Sequence, residues 1–276
     1  MQNKLSYHSI HIKCNDQEAE LASAVLLDKG YAGTSYEDGI LVAYVDSRQY
    51  AAEDSKSLIQ SIGLTIDKEY QSEDQNWNEL WESNFHETII DDRIQIRAPF
   101  HKSKGLEYEL IIHPKMAFGT GHHGTTQLML RAMLRQDFKG ATVLDMGCGS
   151  GILAIMAMQL GAKSVDAIDY DINSIVNCKE NVQLNVTPNV NILQAENLEQ
   201  VTKTFDIILS NIVKNINLSL LPQFAAKLST SGTLILCGLL ENDLKEAQTV
   251  AEALNLKLIN HTSNGEWLQL AFIKPI

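Results

Sequence analysis

Proline is scarce in this 276-residue chain, with 5 residues, and glycine stops at 16, so collagen-like and low-complexity architectures are excluded. Cysteine is limited to Cys14, Cys148, Cys178 and Cys237, with no C-x-x-C pair and no metal-ligand spacing. In a chain of this length they are expected to be reduced thiols of a cytoplasmic protein, not a disulfide frame. No apolar run approaches the roughly 20 residues needed to span a bilayer. The first eight residues carry no apolar signal core, so neither membrane insertion nor export is expected. Basic side chains are also in deficit: 22 Lys and Arg face 34 Asp and Glu, a net charge of -12. Residues 1–100 hold 8 basic and 18 acidic side chains, net -10, whereas residues 101–276 hold 14 and 16, net -2. Nucleic-acid binders draw affinity from a basic field that neutralises phosphates, so extensive nucleic-acid contact is not expected. An acidic front half suits a basic partner, although acidic surfaces also serve solubility alone.

What is present is ordinary globular composition, 45% hydrophobic and 20% charged, at a length that fits one large domain or two unequal ones. Residues 1–70 read as a small α+β unit. Ser6 to Cys14 alternates like a strand, and Asp16 to Lys29 has helical spacing and stops at Gly30. Thr34–Tyr36 and Ile40–Val45 flank an Asp-Gly hairpin signal, Ser47 to Ile62 is a second amphipathic helix, and Leu64 to Tyr70 is a last strand. The order β-α-β-β-α-β is that of a ferredoxin-like unit. Residues 71–88 are polar and acidic, with Trp77, Leu80, Trp81 and Phe85 on one face of an expected helical linker. Stacking of bases on those aromatics is disfavoured by the surrounding acids.

From residue 89 to 276 a second domain is expected. Ile94–Pro99 and Tyr108–His113 look like a strand pair. Strands at Thr142–Met146, Ser164–Asp169, Val190–Gln194, Phe205–Asn211 and Gly232–Leu239 then alternate with helices at Ile152–Leu160, Ile172–Asn185, Leu218–Leu228 and Asn242–Leu254. Buried-type strands separated by helices imply an α/β, Rossmann-like, mostly parallel sheet covered on both faces. Leu256–His261 and Trp267–Ile273, joined around Asn264-Gly265, close it with an antiparallel C-terminal hairpin and make seven strands.

The strand ending at Met146 runs into Gly147-Cys148-Gly149-Ser150-Gly151 and then a helix. Glycines at a strand tip allow a sharp turn and close approach of a ligand. Ile152 stands where the dinucleotide fingerprint requires glycine, and the phosphate-loop lysine is absent, so neither cradle fits well. D-x-G-x-G-x-G after the first strand is instead the pattern of Rossmann-like S-adenosylmethionine-dependent methyltransferases. Asp169, at the tip of the next strand, can accept hydrogen bonds from ribose hydroxyls; the alternative is a cap for the following helix. His122 and His123 lack a nearby carboxylate or thiol at ligand spacing and read as loop histidines, with a metal disfavoured. Cys148 has no evident base, and reads as a small loop residue.

The segment Phe118-Gly119-Thr120-Gly121-His122-His123-Gly124-Thr125-Thr126, with the glycine loop, Asp169, Ser210-Asn211-Ile212 and Gly265-Glu266-Trp267, resembles the PrmA family of methyltransferases for ribosomal protein L11. The resemblance covers nearly the whole chain, including Trp77 and Trp81. The family often has Thr-His-Pro-Thr-Thr where this chain has His122 to Thr126, and many nitrogen methyltransferases have Asn-Pro-Pro-Tyr where this chain has Asn-Ile-Val. The second departure leaves the amine-orienting groups open. The resemblance implies S-adenosylmethionine as methyl donor, lysine or N-terminal amines of L11 as acceptors, and Thr126, Gly147, Asp169 and Asn211 as cofactor contacts. Asn211 would also orient the amine, the alternative being an ordinary helix cap. Gly119-Thr120-Gly121 is expected to act as a lid. The rival readings are an NAD(P)-dependent oxidoreductase, a methyltransferase for another protein, RNA or small molecule, and a non-enzymatic binding module.

Overall fold

The computed structural model describes residues 7–31, 33–37, 39–48, 50–71, 86–113, 119 and 121–276. The chain divides into two compact units, residues 1–84 and 85–276. Residues 72–85 of the expected helical linker, Trp77 and Trp81 among them, and Thr120 of the expected lid lie outside the described residues, while Gln71 ends a strand and Thr88 begins one, so the linker's two ends are extended and not helical.

The first unit runs β1 (Tyr7–Lys13), α1 (Asp16–Asp28), β2 (Gly33–Glu37), β3 (Ile40–Asp46), α2 (Ala52–Ser61) and β4 (Ile66–Gln71). Its sheet has the order β2-β3-β1-β4, antiparallel throughout. Alternate strand residues Ile10, Ile12, Leu41, Ala43 and Val45 point to one face, where they bury Ala19, Ala22 and Leu26 of α1 and Ile59 of α2. α2 starts at Ala52 and not at Ser47 as its periodicity suggests. The carboxylate of Asp46 accepts hydrogen bonds from the Arg48 backbone N–H and guanidinium, which holds a turn where a helix would otherwise begin.

The second unit opens with β5 (Thr88–Ile90), β6 (Ile94–Arg97) and β7 (Tyr108–Ile111). β6 and β7 pair in parallel, and β5, which the sequence did not mark as a strand, pairs antiparallel with β6. The short parallel crossover is held by side chains: Gln95 binds Lys102 O and Lys104 N, while Arg97 binds the carbonyls of Ala98 and His101. Next come α3 (Gly124–Met133), β8 (Thr142–Met146), α4 (Ile152–Gln159), β9 (Ser164–Asp169), α5 (Ile172–Leu184), β10 (Val190–Gln194), β11 (Phe205–Asn211) and α6 (Lys214–Lys227). β12 (Leu228–Leu240), a 3-10 turn at Glu241–Asp243, α7 (Leu244–Ala253), β13 (Lys257–Asn264) and β14 (Trp267–Ile273) complete the unit.

The seven strands are ordered β10-β9-β8-β11-β12-β14-β13, and only β14 runs against its neighbours. Alternate residues feed opposite faces. Val143, Ile207, Leu209 and Ile235 pack under α3 and α4, whereas Leu144, Ile208, Leu234, Leu270 and Phe272 pack under α6 and α7. Coverage on both faces explains why these strands read as continuous apolar runs. The direction of strand succession reverses between β8 and β11, and the crevice outside the strand ends at such a reversal is where open α/β sheets bind ligands.

Candidate functional site

A cavity of about 740 Å3 lies at the carboxyl ends of β8, β9 and β11, a volume within the range of small-molecule sites. Its wall includes Gly147 and Gly149 after β8, Asp169 and Tyr170 after β9, Asn211 and Ile212 at the end of β11, and His123 and Thr125 at the start of α3. The three loop glycines all have left-handed backbone, with φ of +75° at Gly147, +52° at Gly149 and +80° at Gly151. A Cβ on Gly147 would stand 2.2 Å from Ile212 Cγ2, so the first glycine also makes room for a neighbouring side chain. Gly238, with φ of +88°, approaches the same residue from β12; a Cβ there would stand 2.1 Å from the Ile212 carbonyl oxygen.

Asp169 is buried beneath the loop. Its Oδ2 accepts from Gly149 N–H at 2.9 Å and its Oδ1 from Asp171 N–H at 3.0 Å. The cap of α5 is Asp171, which accepts from Asn173 N and Ser174 N, so the helix-cap alternative for Asp169 falls away. Asp145, two residues before the loop, is fully buried. Its Oδ2 accepts from Ala154 N–H at 3.1 Å, and its Oδ1 has no partner. Burial pushes its carboxyl up to about 7, and the nearby Asp169 charge pushes the same way. The Cys148 thiol is held well above its ordinary range by its hydrogen bond with Cys178 and by burial. It is therefore a protonated, inert thiol, which agrees with its reading as a small loop residue.

Asn211 ends β11 with its Oδ1 buried and, among the described residues, unpartnered. The cap of α6 is Val213, so Asn211 is not a helix cap. α6 begins at Lys214, four residues before its expected start, because Asn217 is used for tertiary bonding. It accepts from Ser210 Oγ and donates to the carbonyls of Ile212 and Cys237, each at 2.8 Å. That clamp fixes the segment 211–213 along the cavity. Thr126 is buried with Oγ1 unpartnered and lies behind the wall; Thr125 is the threonine that lines it. His123 caps α3 by accepting from Thr125 N–H and meets Trp267 edge to face at 5.0 Å. His122 donates from Nε2 to His86 O at 2.8 Å.

The sequence reading missed Gly238, Tyr170, Glu196 and Ile216 in this wall. Gly238 carried a usable signal, since a glycine inside an apolar strand marks a bulge or a close backbone approach. Tyr170 and Val213, 69% and 63% exposed, and the half-exposed Ile216 give the mouth an apolar rim.

The chemistry of the wall fits an adenosyl sulfonium: the glycine loop lets backbone approach closely, a buried carboxylate stands at the tip of β9, and Asn211, whose Oδ1 has no partner among the described residues, ends β11 in the same wall. The ribosomal protein L11 methyltransferase (PrmA) family model matches residues 41–275. The ribosomal protein L11 methyltransferase of Phocaeicola vulgatus is 38% identical over 267 residues, which cover 94% of this chain and 95% of that protein. That of Porphyromonas gingivalis is 40% identical over 260 residues, covering 92% and 90%. The crystal structure of ribosomal protein L11 methylase from Lactobacillus delbrueckii subsp. bulgaricus superposes with a TM-score of 0.65 at 30% identity, covering 70% of this chain and 100% of that one. By sequence along nearly its whole length, and by the fold that carries its cavity, the chain belongs to the ribosomal protein L11 methyltransferase (PrmA) family.

Proposed function

We propose that this protein transfers methyl groups from S-adenosylmethionine to amino groups of ribosomal protein L11, at lysine side chains, the N-terminal amine, or both. The observation that carries the reading is the meeting of left-handed glycines, Asp169 and the unpaired Asn211 Oδ1 in one cavity at the strand reversal. When bound, S-adenosylmethionine supplies an electrophilic methyl on a positive sulfonium.

Gly147 and Gly149 hold the backbone close to the cofactor, Asp169 takes the ribose hydroxyls on its carboxylate, and Thr126 secures the start of α3 over the methionine end. Asp169 already accepts two backbone N–H bonds, which fix its orientation before a ligand arrives. Asn211 accepts an N–H of the acceptor amine at Oδ1 and aims its lone pair. A lysine amine, with an ordinary pKa near ~10.4, must shed a proton first, and the apolar rim of Tyr170, Val213 and Ile216 favours the neutral form by desolvation. Rate enhancement then comes mainly from alignment of donor and acceptor.

The first unit, read as ferredoxin-like, is the substrate-recognition arm in this proposal. Its acidic surplus, 11 Asp and Glu against 6 Lys and Arg in residues 1–70, suits a basic ribosomal protein. A cytoplasmic setting goes with this reading, and among the described residues no helix is long and apolar enough to cross a membrane. Incubation of the purified protein with L11 and labelled S-adenosylmethionine is expected to add methyl masses to lysine or N-terminal peptides. Absence of transfer, together with binding of a nicotinamide nucleotide, would overturn the reading.

A further inference from the structure

Three adjacent strands bring a row of polar side chains to the face of the sheet beneath α3. Asn211 is level with Cys237 across the β11–β12 ladder. The β12–β14 ladder pairs Leu236 with Leu270 and Leu239 with Leu268, so Gln269 lies opposite the bulge at Cys237 and Gly238. Ile207, Leu209, Ile235 and Cys237 belong to the core under α3 and α4, whereas Leu268, Leu270 and Phe272 belong to the opposite face. By strand alternation, Asn211 and Gln269 therefore share the side of Cys237, and α3 packs across all three strands above them.

Gln269 is 1% exposed, and among the described residues neither its Oε1 nor its Nε2 has a hydrogen-bond partner. Leaving a buried polar group unpaired costs about 1–3 kcal/mol. A methionine of similar volume would remove that cost, so an amide at this position is unfavourable for stability. Departures of this kind from core rules concentrate at functional sites. Two strands away, Asn211 Oδ1 is also buried and, among the described residues, unpaired. Strands lie about 4.8 Å apart, so about 10 Å separates the two backbones. Cys237 occupies the strand between them, with its thiol pushed up to about 12 by burial and hence neutral. Among the described residues neither Asn211 Oδ1 nor the Gln269 amide has a partner, so they make no direct bond, and a hydrogen-bonded link between the two carboxamides runs through a single water.

We propose that Gln269 is a positioning residue for methyl transfer: its Nε2 donates to a bridging water, which donates to Asn211 Oδ1 and fixes the sense of the Asn211 carboxamide. The second lone pair of that oxygen then takes the N–H of the acceptor amine. The inference rests on the amine-orienting reading of Asn211 given above.

The test compares Gln269→Met with Gln269→Glu in the full-length protein. The methionine variant loses the donor. It is expected to show kcat about tenfold lower, as for loss of one hydrogen bond made in the transition state. Its KM for L11 and its cofactor affinity should stay within about twofold of the parent, and its Tm should be equal or higher. The glutamate variant, kept protonated by burial, retains an O–H donor and is expected to keep at least about half of kcat at pH 7. Parental kcat in the methionine variant, equal slowing in both variants, or a loss confined to KM would each overturn the proposal. Independently of turnover, the Asn211 side-chain amide resonances in the free protein are expected to move in Gln269→Met, and unmoved resonances would refute the link. A parent protein that transfers no methyl to L11 would refute the activity, while the resonances would still decide the role of Gln269.

Discussion

At the scale of single residues, two carboxylates beside the glycine loop have opposite electrostatic circumstances. Asp169 accepts two backbone N–H bonds at the cavity wall, whereas Asp145 is sealed off with one oxygen unpaired. Replacement Asp169→Ala is expected to weaken S-adenosylmethionine binding by about tenfold to a hundredfold, the worth of charge-assisted bonds to two hydroxyls. Unchanged affinity by calorimetry would remove it from the sugar site. For Asp145, the folded protein raises the carboxyl from 3.8 to about 7. The folded state therefore keeps a proton that the unfolded chain releases near pH 4. The resulting destabilisation is absent below about pH 4, grows as pH rises, and is complete above about pH 7. Asp145→Asn, which retains an acceptor for Ala154 N–H, is expected to exceed the parent in stability at pH 8 by a few kcal/mol, with the margin shrinking toward pH 5. Urea unfolding at both pH values checks this; a margin independent of pH would contradict it. The glycine loop and Asp169 were legible in the sequence because spacing alone reports them. The burial of Asp145 was not, since it depends on α4 and β9 closing over the strand.

At the scale of elements, β8, β9, β10, β11 and β14 were read to the residue, the central ones because two covered faces impose an apolar run on each, whereas β12 begins at Leu228, four residues before its expected Gly232, and β5 was not marked. The helix starts were less legible. Local signals set a helix from Ser47, and the Asp46–Arg48 turn displaced it; for α6, the polar Asn215 and Asn217 masked an earlier start. Asn217 is buried because it joins β11, α6 and β12 through Ser210, Ile212 and Cys237. Asn217→Leu leaves two buried carbonyls without donors and is expected to cost about 2–4 kcal/mol in urea unfolding, at about 1–3 kcal/mol for each orphaned group. A cost below about 0.5 kcal/mol, the level of an ordinary surface change, would show that the clamp is dispensable. Ile212 is wedged between Gly147 and Gly238, so these positions are coupled. The pairing of Gln269 opposite a β-bulge was beyond sequence reading, since the bulge shifts the register between β12 and β14.

At the scale of the whole molecule, the acidic front half was visible in charge and a division into two units in element order, whereas residues 71–88 are not all a linker, since Gln71 belongs to β4 and Thr88 to β5. Each unit closes its own core: Ile10, Leu26, Leu41 and Ile59 in the first, and the two larger clusters flanking the seven-stranded sheet in the second. A chain of residues 86–276 is accordingly expected to bind S-adenosylmethionine as the full protein does and to fail in methylating L11. Methylation at the full rate by that shortened chain would refute a recognition role for the first unit. Separate cores also set how the protein gives way to heat. The first unit, with few large buried side chains, has the smaller reserve against chain entropy, so calorimetry is expected to trace two unequal endotherms instead of one. With the first unit as the proposed recognition arm, warmth would blind the enzyme to its client before it emptied the pocket, leaving an intermediate that grips its donor and has nowhere to spend the methyl.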